Sequence, residues 1–399
     1  MTRPLGYASL VAATTCALGA CDAGRPDADE LVPVSLVGAE ATTGYRALPQ
    51  YAEQVATYSP LVEGSVLHGV SRAATLALYF DRLLLPSTVT RQAVCVRNDG
   101  APVDKLDQCT GPTQDFLAVE YDPARRRVLF RGATFDPGTT YKMTLFVPES
   151  PTDWGFRAFD GAPLARKYEL LFETAPDVTA PPAEIAHTAA DYCDAVGCAN
   201  ACRLDHRTDA AALAACVAAS CPFRAQQEPL KGCGSGGCHE ATEDDPDAAA
   251  GLRLQSPEDI LASAIGVTAH QTATGAAAQT PTQNGQPFGR AMPILDRGNP
   301  GNSYLVYKAV AHADSYCSLR DDCPEPDDPG LRAEIVRLRD AFVIGAPMPA
   351  KGSLLTVTNG APTFDGLRVI SDWIAWGAPF CTCVDDVLCA PDPTLPQPP

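Results

Sequence analysis

Basic side chains are scarce in this sequence: 30 Lys and Arg stand against 48 Asp and Glu, for a net charge of −18. Such an acidic balance argues against binding nucleic acid, or an anionic membrane through a basic face. Signatures of catalysis are also missing, since there is no glycine-rich phosphate loop, no nucleophile–base pair and no histidine-rich metal triad. We therefore expect no nucleic-acid partner and no enzymatic activity of its own.

Long apolar runs are missing as well, apart from one near the N-terminus. That run, Leu5 to Ala20, is too short to span a membrane and is typical of a secretory signal, predicted here as residues 1–20. It ends in Leu18-Gly19-Ala20-Cys21, which resembles the lipobox of bacterial lipoproteins. The resemblance implies that Cys21 carries a lipid that anchors the protein to a bacterial membrane, in the periplasm or facing the surface. An ordinary signal peptide cleaved nearby is the alternative.

What the sequence does have is cysteine, with 16 residues, many in close pairs. This abundance indicates an oxidising compartment and disulfides. An acidic, proline-containing stretch after Cys21 suggests a tether over 21–57. Residues 176–188 suggest a linker, and 189–222 a helical hairpin whose cysteines form disulfides or, less in keeping with export, a zinc site. The cysteines of this hairpin are Cys193, Cys198, Cys202, Cys216 and Cys221.

Short runs rich in β-forming residues, separated by turn residues, fill the segment 58–175 and predict an all-β sandwich. The runs are 74–80, 92–97, 116–121, 127–130, 140–146 and 168–172. Cys95 and Cys109 are placed to join one edge of this sandwich.

Several motifs in this segment resemble the bacterial Ig-like domains typified by the S-layer-protein Ig-like family. They are Leu76 to Asp81, Leu85 to Val89, Phe135 to Tyr141, Asp160-Gly161 and Phe172 to Thr174. The resemblance implies that Tyr141 packs and hydrogen-bonds near a strand corner. It also implies a spacer or adhesion module.

The motif Cys233-Gly-Ser-Gly-Gly-Cys238-His239 is typical of covalent haem attachment, in which two thiols add to the vinyl groups and the histidine binds iron. Four residues separate the cysteines instead of the usual two, and three glycines give the loop the freedom to close the gap. A small disulfide loop between Cys233 and Cys238, with His239 an incidental neighbour, is the alternative.

The motifs that follow, in order, resemble those of cytochrome-c-like domains found in bacterial secreted proteins. They are Gly251 to Leu254, Gly298 to Leu305, Met348-Pro349 and Trp373 to Ala378. The resemblance implies a mostly α domain over 223–380 with one covalent haem c, His239 as proximal ligand and Met348 as sixth ligand. Met292, also followed by proline, is the alternative ligand. A cysteine-containing tail, 381–399, completes the chain.

The predicted fold is therefore multidomain, with an Ig-like sandwich, a disulfide-rich helical hairpin and a mostly α cytochrome-c-like domain. The expected function is lipid-anchored, single-haem electron transfer in the cell envelope. The redox partner is unidentified, and the acidic surface favours a basic one. The alternative is a structural or binding surface lipoprotein without haem, in which disulfides hold the cytochrome-like domain together.

Overall fold

The structure is a computed structural model. It describes residues 31–48, 53–98, 109, 117–150, 153–176, 239, 251–254, 257–269, 292–312, 333–338, 343, 348, 355–358, 361–375 and 377–378. The export signal with Cys21, the predicted cysteine-rich hairpin, Cys233, Cys238 and the C-terminal tail lie outside these residues.

Nine strands in the described part build two sheets. They are β1 (Leu36–Leu48), β2 (Glu53–Pro60), β3 (Val66–Val70), β4 (Leu76–Phe80), β5 (Val94–Arg97), β6 (Ala118–Asp122), β7 (Arg127–Arg131), β8 (Thr140–Leu145) and β9 (Tyr168–Thr174). One sheet has the order β2-β1-β4-β7-β6, with antiparallel neighbours throughout. The other has the order β3-β9-β8-β5, in which only the β3–β9 pair is parallel.

The two sheets share one hydrophobic core, so they form a sandwich. Strand β9 shows why, because every second side chain along it is buried. Leu78 and Phe80 from the first sheet belong to the same buried cluster as Met143 and Phe172 from the second. Each of the six predicted runs contains or overlaps an observed strand.

Two strands lie where the sequence suggested a tether. Strand β1 and most of β2 fall within residues 21–57, and β1 pairs with both β2 and β4. Residues 36–48 are therefore part of the sandwich. Their side chains are mostly small or polar, as in Gly38, Ala39 and Ala41, so their alternation carries little hydrophobic signal. Ala39 and Ala41 are nevertheless buried.

Tyr141 occupies a corner at the start of β8, as the resemblance to Ig-like domains implies. Its ring is buried and packs against Phe135 and Phe172, with centroids 4.9 and 5.5 Å away. Its hydroxyl accepts a hydrogen bond from the Asp136 backbone N–H at 2.9 Å and lies 3.3 Å from the carboxylate of the same residue. The tyrosine therefore holds the turn before β8 against the core.

A disulfide joins Cys95 on β5 to Cys109, 14 residues later. Cys95 points to the face opposite Val94 and Val96, where Phe146 packs with it. Closing a loop of this length stabilises the folded chain by about 3 kcal/mol, mainly by restricting the unfolded state. The pairing suggested by the sequence is present.

The segments after residue 250 correct the predicted fold. Their helices are short: α1 (Pro257–Ser263), α2 (Tyr304–Val310), α3 (residues 333–338) and α4 (Gly366–Ala375). A β-hairpin, β10 (Leu355–Thr358) with β11 (Ala361–Asp365), precedes α4. The described part of the chain is thus mostly β-sheet, and the expected mostly α cytochrome-c-like domain is wrong.

The reason lies in what the short helices pack against. In the sequence, the spacing of Leu367, Ile370, Trp373 and Ile374 predicts one apolar stripe on a helix, and in α4 all four are buried. These side chains belong to the same continuous core as the sandwich. Order of motifs along a chain does not determine helix length, and here the sheets supply much of the apolar surface that a helical bundle would provide for itself. Within the described residues, no helix is long and apolar enough to cross a membrane.

Candidate functional site

His239, the predicted proximal ligand, is buried with 5% of its surface exposed. Its Nδ1 lies 3.2 Å from the Leu252 carbonyl oxygen, and its own carbonyl accepts a hydrogen bond from the Leu254 N–H at 3.3 Å. The predicted Gly251 to Leu254 motif therefore lies directly against this histidine. The structure does not describe the two cysteines of the haem motif.

The two candidate methionines have different surroundings. Met292 is fully buried in the core, and its carbonyl accepts a hydrogen bond from the Ala269 N–H at 2.9 Å. Met348 is partly buried against the same core, and its N–H donates to the Lys308 carbonyl on α2 at 3.0 Å. Both methionines thus fill space beside apolar neighbours, which is a common role of this side chain.

The structure does not support the expected haem c. No group of three or more His, Cys, Asp and Glu side chains converges to hold a metal ion within the described residues. These residues also contain little of the helix expected of a cytochrome-c-like domain. His239 and Met348 were predicted to bind one haem because their motifs follow the order found in cytochrome-c-like domains. That order along the chain does not require the two side chains to meet around a ligand.

A buried ionic cluster instead joins the sandwich to α3. Arg82, just after β4, contacts Asp160 through Nη2 at 2.6 Å and Glu334 on α3 through Nε at 2.9 Å. The three side chains are 3%, 5% and 1% exposed. Strand β4 and helix α3 are therefore connected through charges that water hardly reaches.

The remaining hydrogen-bonding positions of Glu334 are also used. One carboxylate oxygen accepts the Leu83 backbone N–H at 2.8 Å, and the other accepts Nε and Nη2 of Arg337 at 3.1 and 3.0 Å. Burial by itself would lower the pKa of Arg82, but Glu334 and Asp160 outweigh burial and raise it. Arg82 therefore remains a cation inside the protein.

A second polar contact joins β6 to α4. The Ser371 hydroxyl donates to Oδ1 of Asp122 at 2.8 Å, and Arg125 reaches Oδ2 at 2.6 Å. Arg127 lies 3.5 Å from the same oxygen. Burial opposes ionisation of Asp122, but the two guanidinium groups and the hydrogen bonds from Arg125 and Ser371 lower its pKa overall. The ionised carboxylate is thus the form that holds α4.

The third contact is a close approach of two backbones. The 3₁₀ turn Pro300–Asn302 passes Tyr121 at Gly301, where a Cβ atom would lie 2.6 Å from Cδ1 and 2.9 Å from the carbonyl oxygen of that tyrosine. The Tyr307 hydroxyl donates to the Gly301 carbonyl at 2.8 Å. Burial raises the pKa of Tyr307 well above its ordinary value, so this donor keeps its proton.

We expect Gly301→Ala to weaken the packing of this turn on the sandwich. The added methyl group meets the backbone of Tyr121, which cannot rotate away, so overpacking is expected to cost about 1–3 kcal/mol. Urea unfolding measures this loss. Gly44→Ala is a suitable control because no atom lies within 4 Å of a Cβ there. Equal stability of the two variants would contradict the close approach.

A cleft of about 260 Å³ opens beside this turn. It lies between the loop 86–90, strand β6 and the turn that carries Gly301. The cleft is thus formed jointly by the sandwich and the C-terminal segments. Its lining residues are Pro86, Ser87, Val89, Thr90, Val119, Tyr121, Asn299, Gly301 and Asn302.

The described part of the chain is a two-sheet β-sandwich, and buried charges hold the C-terminal segments to it. No protein-family model, curated protein or solved structure matches the chain.

The sequence alone does not indicate that these residues meet. Arg82 and Glu334 are 252 positions apart, and Ser371 and Asp122 are 249 apart. A partial signal was present. Asp122 directly follows one predicted strand and Arg82 lies two residues after another, positions where a charged residue is ordinarily expected to be exposed to solvent.

Proposed function

We propose that the protein is a non-catalytic, lipid-anchored binding or structural protein of the bacterial cell envelope. In this proposal the sandwich holds the C-terminal segments rigidly, and the acidic tether region after Cys21 connects them to the membrane. The observation that carries the rigid arrangement is the buried cluster of Arg82, Asp160 and Glu334. A structure in which one of these charges stays buried without its partner is strongly destabilised, so the cluster fixes the position of α3 on the sandwich.

Three further observations support the proposal. The Leu18 to Cys21 motif favours lipid attachment, and the cysteine count favours an oxidising compartment. The charges buried between the sandwich and the C-terminal segments are paired with partners of opposite sign, as the Arg82 and Asp122 contacts illustrate. Such pairing is typical of groups that hold a structure together.

Labelling with a clickable fatty acid in a bacterial host tests the anchor. We expect the full-length protein to take up label and to fractionate with membranes, because Cys21 supplies the acylated thiol. Cys21→Ser is expected to lose both properties, since a hydroxyl does not replace the thiol in lipoprotein maturation.

Cys95→Ser is the matched control, because Cys95 is bonded to Cys109 inside the sandwich and takes no part in anchoring. This variant is expected to keep the lipid label. Unlabelled wild-type protein in the soluble fraction would refute the anchored role.

A further inference from the structure

We propose that the cleft beside the Pro300–Asn302 turn binds a small, uncharged, hydroxyl-bearing ligand, with a single sugar ring as its chemical type. The volume of about 260 Å³ sets the size of the ligand. This lies just below the roughly 300–1,000 Å³ of cavities that bind drug-sized ligands, so the ligand is smaller than those. That space suits one sugar ring. A binding site of this kind goes beyond the structural role proposed above.

The lining of the cleft indicates an uncharged ligand. All nine lining residues are neutral. A charged group entering the cleft would lose hydration without gaining an opposite charge. The net charge of −18 further disfavours an anion.

The same lining combines apolar walls with a few polar groups, which is the composition of small-molecule sites. Pro86, Val89, Val119 and the ring of Tyr121 offer surface for the C–H faces of a ring. Hydroxyl and amide side chains lie among them. They are those of Ser87, Thr90, Asn299 and Asn302.

Thr90 supplies the most specific feature of the cleft. Its Oγ1 is buried and has no hydrogen-bond partner within the described residues. Leaving a buried hydroxyl unpaired is unfavourable. Thr90 lines the cleft, so a rotation of its side chain about the Cα–Cβ bond turns Oγ1 toward the cleft, where a bond to a ligand hydroxyl removes this cost.

Neighbouring hydroxyls, in contrast, are used by the fold. Thr88 donates to the Leu85 carbonyl at 2.7 Å, and the hydroxyl of Tyr121 accepts the Leu84 N–H at 2.7 Å. Thr90 therefore differs from Thr88 and Tyr121, whose hydroxyls already bond within the fold.

Saturation-transfer NMR on the full chain tests the site, with a panel of uncharged methyl glycosides and with glucuronate as the anionic comparison. We expect transfer to at least one uncharged glycoside and a much weaker signal from glucuronate. Thr90→Val keeps the shape of the side chain and removes one hydrogen bond. We expect it to weaken the affinity about fivefold or more.

Two further variants decide whether the signal comes from the cleft. Val119→Phe places a larger side chain in the cleft and is expected to abolish binding. Thr43→Val is the control, because that hydroxyl bonds to Ser59 at 2.8 Å on the β1–β2 hairpin and does not line the cleft. It is expected to bind as wild type does.

The outcome is independent of the lipid-anchor experiment. Thr90→Val removes only an unpaired hydroxyl and is expected to unfold at a temperature no lower than wild type, so weaker binding does not reflect unfolding. Wild-type protein that gives no transfer to any uncharged glycoside would overturn the proposal. So would binding that is unchanged in both Thr90→Val and Val119→Phe.

Discussion

Replacing Glu334 by glutamine is expected to lower the free energy of unfolding by about 3–5 kcal/mol, because it leaves the Arg82 cation buried with half of its countercharge gone. The shape of the side chain hardly changes, and the amide oxygen is still able to accept the Leu83 N–H. The loss therefore measures charge and not packing. Urea unfolding at neutral pH, followed by circular dichroism, gives the difference.

Glu63→Gln is the matched control for this experiment. Glu63 pairs with Arg166 at 2.6 Å, as closely as Arg82 pairs with Asp160, but the two side chains are 39% and 57% exposed. Water and salt screen such a pair, so its removal is expected to change stability little. If Glu334→Gln cost no more than Glu63→Gln, the buried cluster would not be what holds α3 to the sandwich.

The second large effect is expected at Asp122. At neutral pH, Asp122→Asn removes the negative charge that Arg125 and Arg127 face and weakens the acceptor for the Ser371 hydroxyl. Stranding guanidinium groups in this way is expected to cost about 3–5 kcal/mol. Because Ser371 lies on α4, the loss of stability extends to the docking of that helix.

The pH dependence of this variant has a definite sign. The pKa of Asp122 in the folded protein is lower than its ordinary value of 3.8. Its contribution is therefore fully present above pH 3.8 and is lost as the pH falls through the lowered pKa. The stability difference between wild type and Asp122→Asn should shrink in that acid range.

Glu120→Gln, on the same strand, provides the comparison. Glu120 lies 3.5 Å from Arg131, and both side chains are a quarter or more exposed, so a change within about 1 kcal/mol is expected. Stability curves for wild type and Asp122→Asn that stay parallel from neutral pH into acid would exclude Asp122 as an acid-sensitive contact.

Much of the sandwich was accessible from local patterns. Strand β9 alternates in burial along its whole length, and the tyrosine after the Pro-Gly turn lies at a strand corner. The apolar stripe of α4 could be predicted in the same way, because its apolar side chains recur at the period of a helix. These features depend on residues close in sequence, whose spacing is set by the strand or the helix itself.

The predicted haem site, in contrast, depended on residues far apart in sequence. The prediction rested on short motifs that follow one another in a familiar order, and it took that order as evidence of a shared site. In the structure, Met292 is a core residue and Met348 packs beside α2, while no metal-binding group forms among the described residues.

The sequence by itself determined where most strands of the sandwich lie and which face of α4 is apolar. Only the tertiary structure decided that the core continues from the sheets into the C-terminal segments, and that Arg82 meets Glu334. From the sequence alone, charged residues that follow a strand are expected to be exposed to solvent. Their burial depends on which distant segment covers them, and that is settled by the packing of the whole chain.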